Sequence, residues 1–208
     1  MITIIGNQKG GVGKSTLTVL AANYLSIAME WPATIIDMDY QQSISQKFEK
    51  AKVLENEEPY QVTPATLDSY PILKNVLARD PKHAILIDLP GKLDDDGLIP
   101  VFLSADLVIC PFAYDEFTFE STVLFAVVLR KVNPKAELVF VPNRIKATAK
   151  FETMGEVNAQ LSKFGRIMPP IADRVDFQRI TTFYTPISIA PVVQPVFEEI
   201  FSAYLWNK

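Results

Sequence analysis

Short runs of apolar, β-branched residues alternate along the chain with longer stretches whose apolar positions recur every three or four residues. This is the pattern of βαβ units laid on a parallel sheet. Strands are expected at Ile2–Ile5, Thr34–Asp37, Ala84–Asp88, Leu107–Pro111, Glu137–Val141 and Arg166–Met168. Their near-continuous hydrophobicity suits strands covered on both faces. Helices are expected over 14–29, 41–52, 69–79, 94–103, 118–132, 150–164 and 195–206. Residues 53–68 are the least regular and include a short edge strand near Tyr60-Gln61-Val62. No repeat or linker interrupts the alternation. Residues 1–208 therefore read as a single α/β domain, doubly wound, with a mainly parallel sheet flanked by helices.

Composition narrows this picture without redirecting it. Hydrophobic residues make up 49% and charged residues 21% of the 208 positions, the ordinary balance of a globular protein. No apolar run approaches the roughly 18 residues that a membrane span requires. Met1 leads straight into the first strand with no basic leader, so a cytoplasmic protein is expected. A single cysteine, Cys110, and a single histidine, His83, exclude an internal disulfide and a zinc site built from such ligands. Cys110 reads as core, and His83 as a surface or capping residue. The net charge of −4 argues against a surface that coats nucleic acid throughout. Charge is nevertheless uneven: residues 1–129 carry nine basic and seventeen acidic side chains, and residues 130–179 ten basic and five acidic. That second stretch suits either a nucleic-acid surface or a solvated helix face.

The most specific chemistry lies between the first strand and the first helix, in Lys9-Gly10-Gly11-Val12-Gly13-Lys14-Ser15-Thr16. Glycines let successive backbone N–H groups turn inward around phosphates, and the following helix aims its positive end at the same anion. Lys14 suits the β and γ phosphates, and the Ser15 hydroxyl suits Mg²⁺. Two further acids close apolar strands, Asp37 in Asp37-Met38-Asp39-Tyr40-Gln41 and Asp88 in Ile85-Leu86-Ile87-Asp88-Leu89-Pro90-Gly91. Burying Asp88 at the end of its apolar strand is costly unless a cation balances it, which Mg²⁺ would do. The run Asp94-Asp95-Asp96 instead reads as a helix N-cap.

With Gln8 where the usual loop begins with glycine, and Lys9 ahead of the glycine pair, Asn7–Thr16 resembles the deviant Walker A motif of the ParA/MinD superfamily, in its ParA branch. The resemblance extends over nearly the whole chain. It implies a P-loop ATPase that forms an ATP-dependent homodimer with Mg²⁺. Lys9, Lys14 and Asp39 would be its catalytic residues, with Lys9 reaching the partner's phosphates and Asp39 positioning the attacking water. Ser15, Asp37 and Asp88 would hold Mg²⁺. Gly10, Gly11, Val12, Gly13, Lys14, Ser15, Thr16, Pro90 and Gly91 would contact phosphate. Tyr40 stands where the family's switch carries proline. Asn143 and Arg144, in Pro142-Asn143-Arg144-Ile145-Lys146, together with Pro170 in the segment 169–174, would flank the base. Lys146 cannot accept bonds from a guanine edge as an acid does, so adenine is favoured.

The same family supplies exclusions. Cys110 alone cannot hold a bridging iron–sulfur cluster. Residues 195–206 are apolar on most of their circumference and acidic elsewhere, unlike a basic membrane helix, and read as a docked helix with Pro195 in its first turn. The expected function is plasmid or mobile-element partition with a small ParB-like or adaptor protein. ATP-bound dimers would bind DNA without sequence preference through Arg130, Lys131, Lys135, Lys146, Lys150, Lys163 and Arg166. A nucleoid-associated location follows from that. Two alternatives stay open: the same switch positioning a protein cargo or conjugation apparatus, and a dethiobiotin-synthetase-like enzyme.

Overall fold

Seven strands among the described residues pair side by side, all parallel, in the order β3-β2-β4-β1-β5-β6-β7. They are β1 (Ile2–Ile5), β2 (Ala33–Asp37), β3 (Gln61–Pro64), β4 (Ala84–Asp88), β5 (Leu107–Phe112), β6 (Glu137–Pro142) and β7 (Arg166–Ile167). The computed structural model describes residues 1–52, 57–77, 80, 82–91, 95–146 and 153–205. Asp94, Lys150 and the outer ends of four expected helices lie outside those residues. Between the strands run α1 (Lys14–Asn23), α2 (Ser43–Lys52), α3 (Tyr70–Leu77), α4 (Leu98–Ser104), α5 (Glu116–Val132) and α6 (Met154–Leu161), and α7 (Ala190–Leu205) follows β7.

Alternation along each strand sends side chains to two cores. Ile5, Ile35, Leu86, Ile109 and Val139 face one side, where α1, α2 and α7 supply Leu17, Phe48, Phe197 and Phe201. Ile4, Ile36, Ile87, Val108 and Phe140 face the other, covered from α3, α4, α5 and α6 by Tyr70, Phe102, Phe125 and Leu161. Covering both faces explains why these strands lack polar alternation. Cys110 lies wholly buried in β5, where loss of solvent pushes its thiol pKa up. His83 is half-buried at the start of β4 and pairs through Nε2 with the Thr34 hydroxyl at 2.8 Å.

Several element ends differ from the sequence reading, three helix ends among them. The helix expected over 14–29 passes at Tyr24–Ala28 into a wider π-helical turn. The acidic run does not cap α4 directly: Gly97 occupies the N-cap, and Asp95 Oδ1 accepts the Gly97 N–H at 2.8 Å one turn earlier. The last helix starts at Ala190, so Pro195 lies inside it rather than in its first turn. An internal proline costs about 3 kcal/mol. Five buried side chains, Val193, Val196, Phe197, Ile200 and Phe201, outweigh this at about 1.5–3 kcal/mol each. No helix among the described residues is long and apolar enough to cross a membrane.

Candidate nucleotide site

The loop after β1 is built by backbone conformation and by three side-chain anchors. Gly11 and Gly13 adopt φ of 78° and 95°, a region that side chains other than glycine enter at a cost. Gly13 is the N-cap of α1, with no side-chain cap over the exposed amides. Asn7 fixes the loop's start: its Nδ2 donates to the Pro111 carbonyl and to the Thr122 hydroxyl, each at 2.8 Å, and its Oδ1 accepts the Lys9 N–H at 3.0 Å. Asn143 Nδ2 donates to the Val12 carbonyl at 2.8 Å, and Arg144 donates to the Gly11 carbonyl at 2.8 Å. Lys14, 7% exposed, turns its Nζ back to the Lys9 carbonyl at 3.1 Å. Burial lowers its pKa, and the negative charges of Asp88 and Asp39 work against that shift.

The register of the sheet brings the two strand-end acids together. Asp37 pairs with Asp88 across β2 and β4, and Asp88 with Ile5 across β4 and β1, so both carboxylates end beside the phosphate loop. The Ser15 hydroxyl donates to Asp88 Oδ2 at 2.6 Å, and the Thr18 hydroxyl lies between the Lys14 carbonyl and Asp88 Oδ1, at 3.0 and 3.3 Å. Asp37 Oδ2 accepts from the Ser45 N–H and hydroxyl at 2.8 and 2.9 Å, while its Oδ1 is buried with no partner among the described residues. Burial pushes the Asp88 carboxyl up to about 7; the Ser15 bond opposes this and Asp37 adds to it. A hydroxyl, an orphaned buried carboxylate oxygen and a second buried carboxylate fit a hard divalent cation, which Mg²⁺ sites hold with one or two carboxylates plus phosphate oxygens. Asp39 stands half-buried beyond them, its Oδ1 accepting the Gln41 N–H at 2.9 Å.

These residues open on a cleft of about 710 Å³, large enough for a nucleotide. Of the residues expected from sequence, Gly10, Gly11, Gly13, Lys14, Ser15, Thr16, Asp39, Gly91, Asn143 and Arg144 line it. Asp37 and Asp88 lie beneath it with no exposure. Three expected contacts do not reach its wall: Val12 and Pro90 are buried, and Pro170 is exposed elsewhere. Lys9, expected to serve a partner's phosphates, extends outside this cleft, its ammonium 5.7 Å from the Phe117 ring centre. Pro170 is replaced on that wall by Asp173, Arg174 and the single-turn 3₁₀ segment Val175–Arg179. Sequence reading missed Thr18, Ser45 and Thr122 as anchors, and Lys47, Phe177 and Gln178 as lining residues. A clue existed only for Thr18, which is spaced one helical turn after Lys14.

The basic set expected to face DNA is divided by the fold. Lys131, Lys135, Lys163 and Arg166 lie near the N-terminal ends of β6 and β7, and Lys146 follows β6 at the opposite, cleft-bearing end. Arg130 is committed to the carbonyls of Phe164 and Ala136, and Arg166 to Glu137.

The geometry agrees with what known proteins show. Residues 3–186 match the family described as the CobQ/CobB/MinD/ParA nucleotide binding domain. No curated protein sequence gives a significant match. Among solved structures, a Borrelia burgdorferi protein assigned to plasmid partition and bound to AMPPNP is 23% identical with a TM-score of 0.75, over 100% of this chain and 99% of that one. MinD, the cell division ATPase of Pyrococcus furiosus, superposes at 0.74 with 17% identity, over 97% and 98% of the two chains. Apo McdA of Cyanothece gives 0.73 at 16% identity, again over 97% and 98%. The family match covers most of the chain, and with the glycine loop, the paired strand-end acids and the seven-stranded parallel sheet it leads to one conclusion: the chain belongs to the CobQ/CobB/MinD/ParA nucleotide-binding domain family.

Proposed function

We propose that the chain is a ParA-type ATPase that binds ATP with Mg²⁺, dimerises on it, and hydrolyses it to ADP and phosphate to move a DNA cargo. The carrying observation is the joining of a glycine phosphate loop to two buried strand-end aspartates, one with an unpartnered oxygen. Ser15, Asp37 and Asp88 would hold Mg²⁺, which when bound neutralises charge on the phosphate oxygens. Lys14 places a desolvated cation beside the loop, and Asp39 orients the attacking water on the cleft wall. Gly91 leaves space around Lys14: a Cβ there would stand 3.6 Å from its Nζ.

Dimerisation is supported by where Lys9 points. Its ammonium lies outside its own cleft, above Phe117, a ring that is 70% exposed on the first turn of α5. An outward cation beside an exposed aromatic is available to the cleft of a second copy. A cation arriving in trans makes ATP bind the dimer better than the monomer, so ATP drives association. Lys9→Ala is expected to remain monomeric with ATP in sedimentation and to lose about 10³-fold in turnover, the effect of removing a trans-acting cation. ADP should still bind the monomer. Normal ATP-dependent dimers in this variant would remove the proposal.

The cargo is argued from the Borrelia burgdorferi neighbour, assigned to plasmid partition, and from the exposed lysines. Lys131, Lys135 and Lys163 are exposed together near the start of β6 and β7, a patch suited to phosphate backbones. A partner of the ParB-like or adaptor kind would trigger release, and DNA binding would place the protein on the nucleoid. Changing the three lysines to alanine is expected to lower affinity for any DNA sequence. It should also flatten the salt dependence by up to about 0.9 for each DNA phosphate that a lysine no longer neutralises. Unchanged salt slopes in a filter-binding series would exclude this surface.

A further inference from the structure

Two cations on the cleft wall, Lys47 and Arg174, are explained by neither the loop nor the acids. Lys14 donates to the Lys9 carbonyl and Arg144 to the Gly11 carbonyl. Lys47, in α2, has no hydrogen bond or ion pair with any described residue. It stands where the large cleft meets a smaller cavity of about 50 Å³, and both spaces are walled by Ser15, Thr16, Lys47 and Phe177. Ser43 and Ile44, four and three residues earlier on the same helix face, line the smaller cavity with it.

The helix that carries Lys47 is firmly held. Ile44 and Phe48 are buried on the sheet, Phe48 stacks on Phe183, and Ser45 grips Asp37 through two hydrogen bonds. Lys47 is thus a flexible cation on a fixed base, sharing cavity walls with Ser15 and Thr16 of the first turn of α1, where the helix end already favours an anion. Neither carboxylate on the cleft wall, Asp39 or Asp173, forms an ion pair with Lys47.

We infer that Lys47 is a nucleotide-binding residue that contacts the inner phosphates of a bound nucleoside di- or triphosphate from the α2 side. This rests on the nucleotide reading of the cleft. The position selects the phosphates. Lys14, Asp39 and Gly91 line the large cleft but not the smaller cavity, whereas Lys47 lines both spaces with Thr16 and Phe177, toward the 173–178 side. One helix then holds the ligand through Lys47 and the metal-site acid through Ser45, so nucleotide occupancy and the Asp37 carboxylate are coupled through α2.

The test is equilibrium binding of fluorescent ADP and ATP to the full chain carrying Lys47→Ala or Lys47→Arg, with melting curves to confirm equal folding. Lys47→Ala should raise both dissociation constants about tenfold, the effect of removing one charge-assisted hydrogen bond, and leave their ratio unchanged. Lys47→Arg should stay within about threefold of the parent, since the charge is kept. Affinities within about twofold of the parent for Lys47→Ala, or a loss confined to ATP, would overturn the inference. A parent chain that binds neither nucleotide removes the underlying reading, and this inference with it; a parent that binds both, beside an unaffected Lys47→Ala, removes the inference alone.

Discussion

Replacing Gly13 with alanine is expected to cut nucleotide affinity at least 100-fold and to cost the free protein about 2–5 kcal/mol of stability. Two effects add. A side chain held at φ of 95° pays the left-handed penalty of about 1–2 kcal/mol. The new Cβ would also stand 2.4 Å from Asn143 Nδ2, too close for any real contact. Asn143 cannot simply swing away, because it is 5% exposed and its Nδ2 holds the Val12 carbonyl. Losing that bond leaves buried polar groups unpaired, a further 1–3 kcal/mol or so. The loop would relieve the clash by moving its amides out of register with a phosphate. Adding Asn143→Ala to Gly13→Ala should recover part of the stability and little of the affinity, since the φ strain remains. Gly10→Ala provides the contrast: its Cβ would meet nothing within 4 Å, so its melting temperature should stay within about 2 °C of the parent. Thermal unfolding and nucleotide titration of these variants measure both effects. A Gly13→Ala protein that binds nucleotide like the parent would show that the loop geometry is not what holds the ligand.

The contrast between Gly13 and Gly10 also marks what a sequence reveals. The glycine loop, its place after β1 and the strand-end acids are local patterns, so their spacing reported them. The same holds for the strands, whose buried apolar runs carry a simple period. The start of α7 was hidden because propensity favours a helix beginning at Pro195, and only burial on the sheet reveals why the helix runs through it. Lys47, Phe177 and Gln178 were invisible for a different reason. They reach the cleft through contacts between α1, α2 and the 3₁₀ turn Val175–Arg179, elements more than 100 residues apart in part. The basic segment was misleading in the opposite way. A run of positive charge in sequence became two ends of the sheet in space, with Arg130 consumed by carbonyls. Periodicity thus located the scaffold, but the wall of the site depended on tertiary contacts.

Asp88→Asn is expected to pull function and stability in opposite directions. Asp88 is wholly buried, and burial lifts its carboxyl from 3.8 to about 7. Between those pH values the folded chain holds one more proton than the unfolded chain. Stability from this group is therefore full below about pH 4, falls as pH rises through the window, and is gone above about 7. The shift corresponds to an upper bound of about 4 kcal/mol at 1.36 kcal/mol per unit, and relaxation around the charge reduces it to about 1–3 kcal/mol. Asparagine carries no charge to desolvate, and its amide oxygen still accepts from the Ser15 hydroxyl, which now meets Asp88 at 2.6 Å. In EDTA, then, the variant should unfold at higher denaturant than the parent at pH 8, while near pH 4 the difference should disappear. Mg²⁺ should reverse the order, because the parent gains a counter-ion for Asp88 and Asp37 that the variant binds poorly. ATP turnover of the variant should fall at least 100-fold, and Mg²⁺ should no longer tighten nucleotide binding. Denaturation at pH 4 and 8, with and without Mg²⁺, separates these contributions. An asparagine variant with the parent's pH slope would mean that Asp88 is ionised in the free protein, and undiminished turnover would remove it from the metal site.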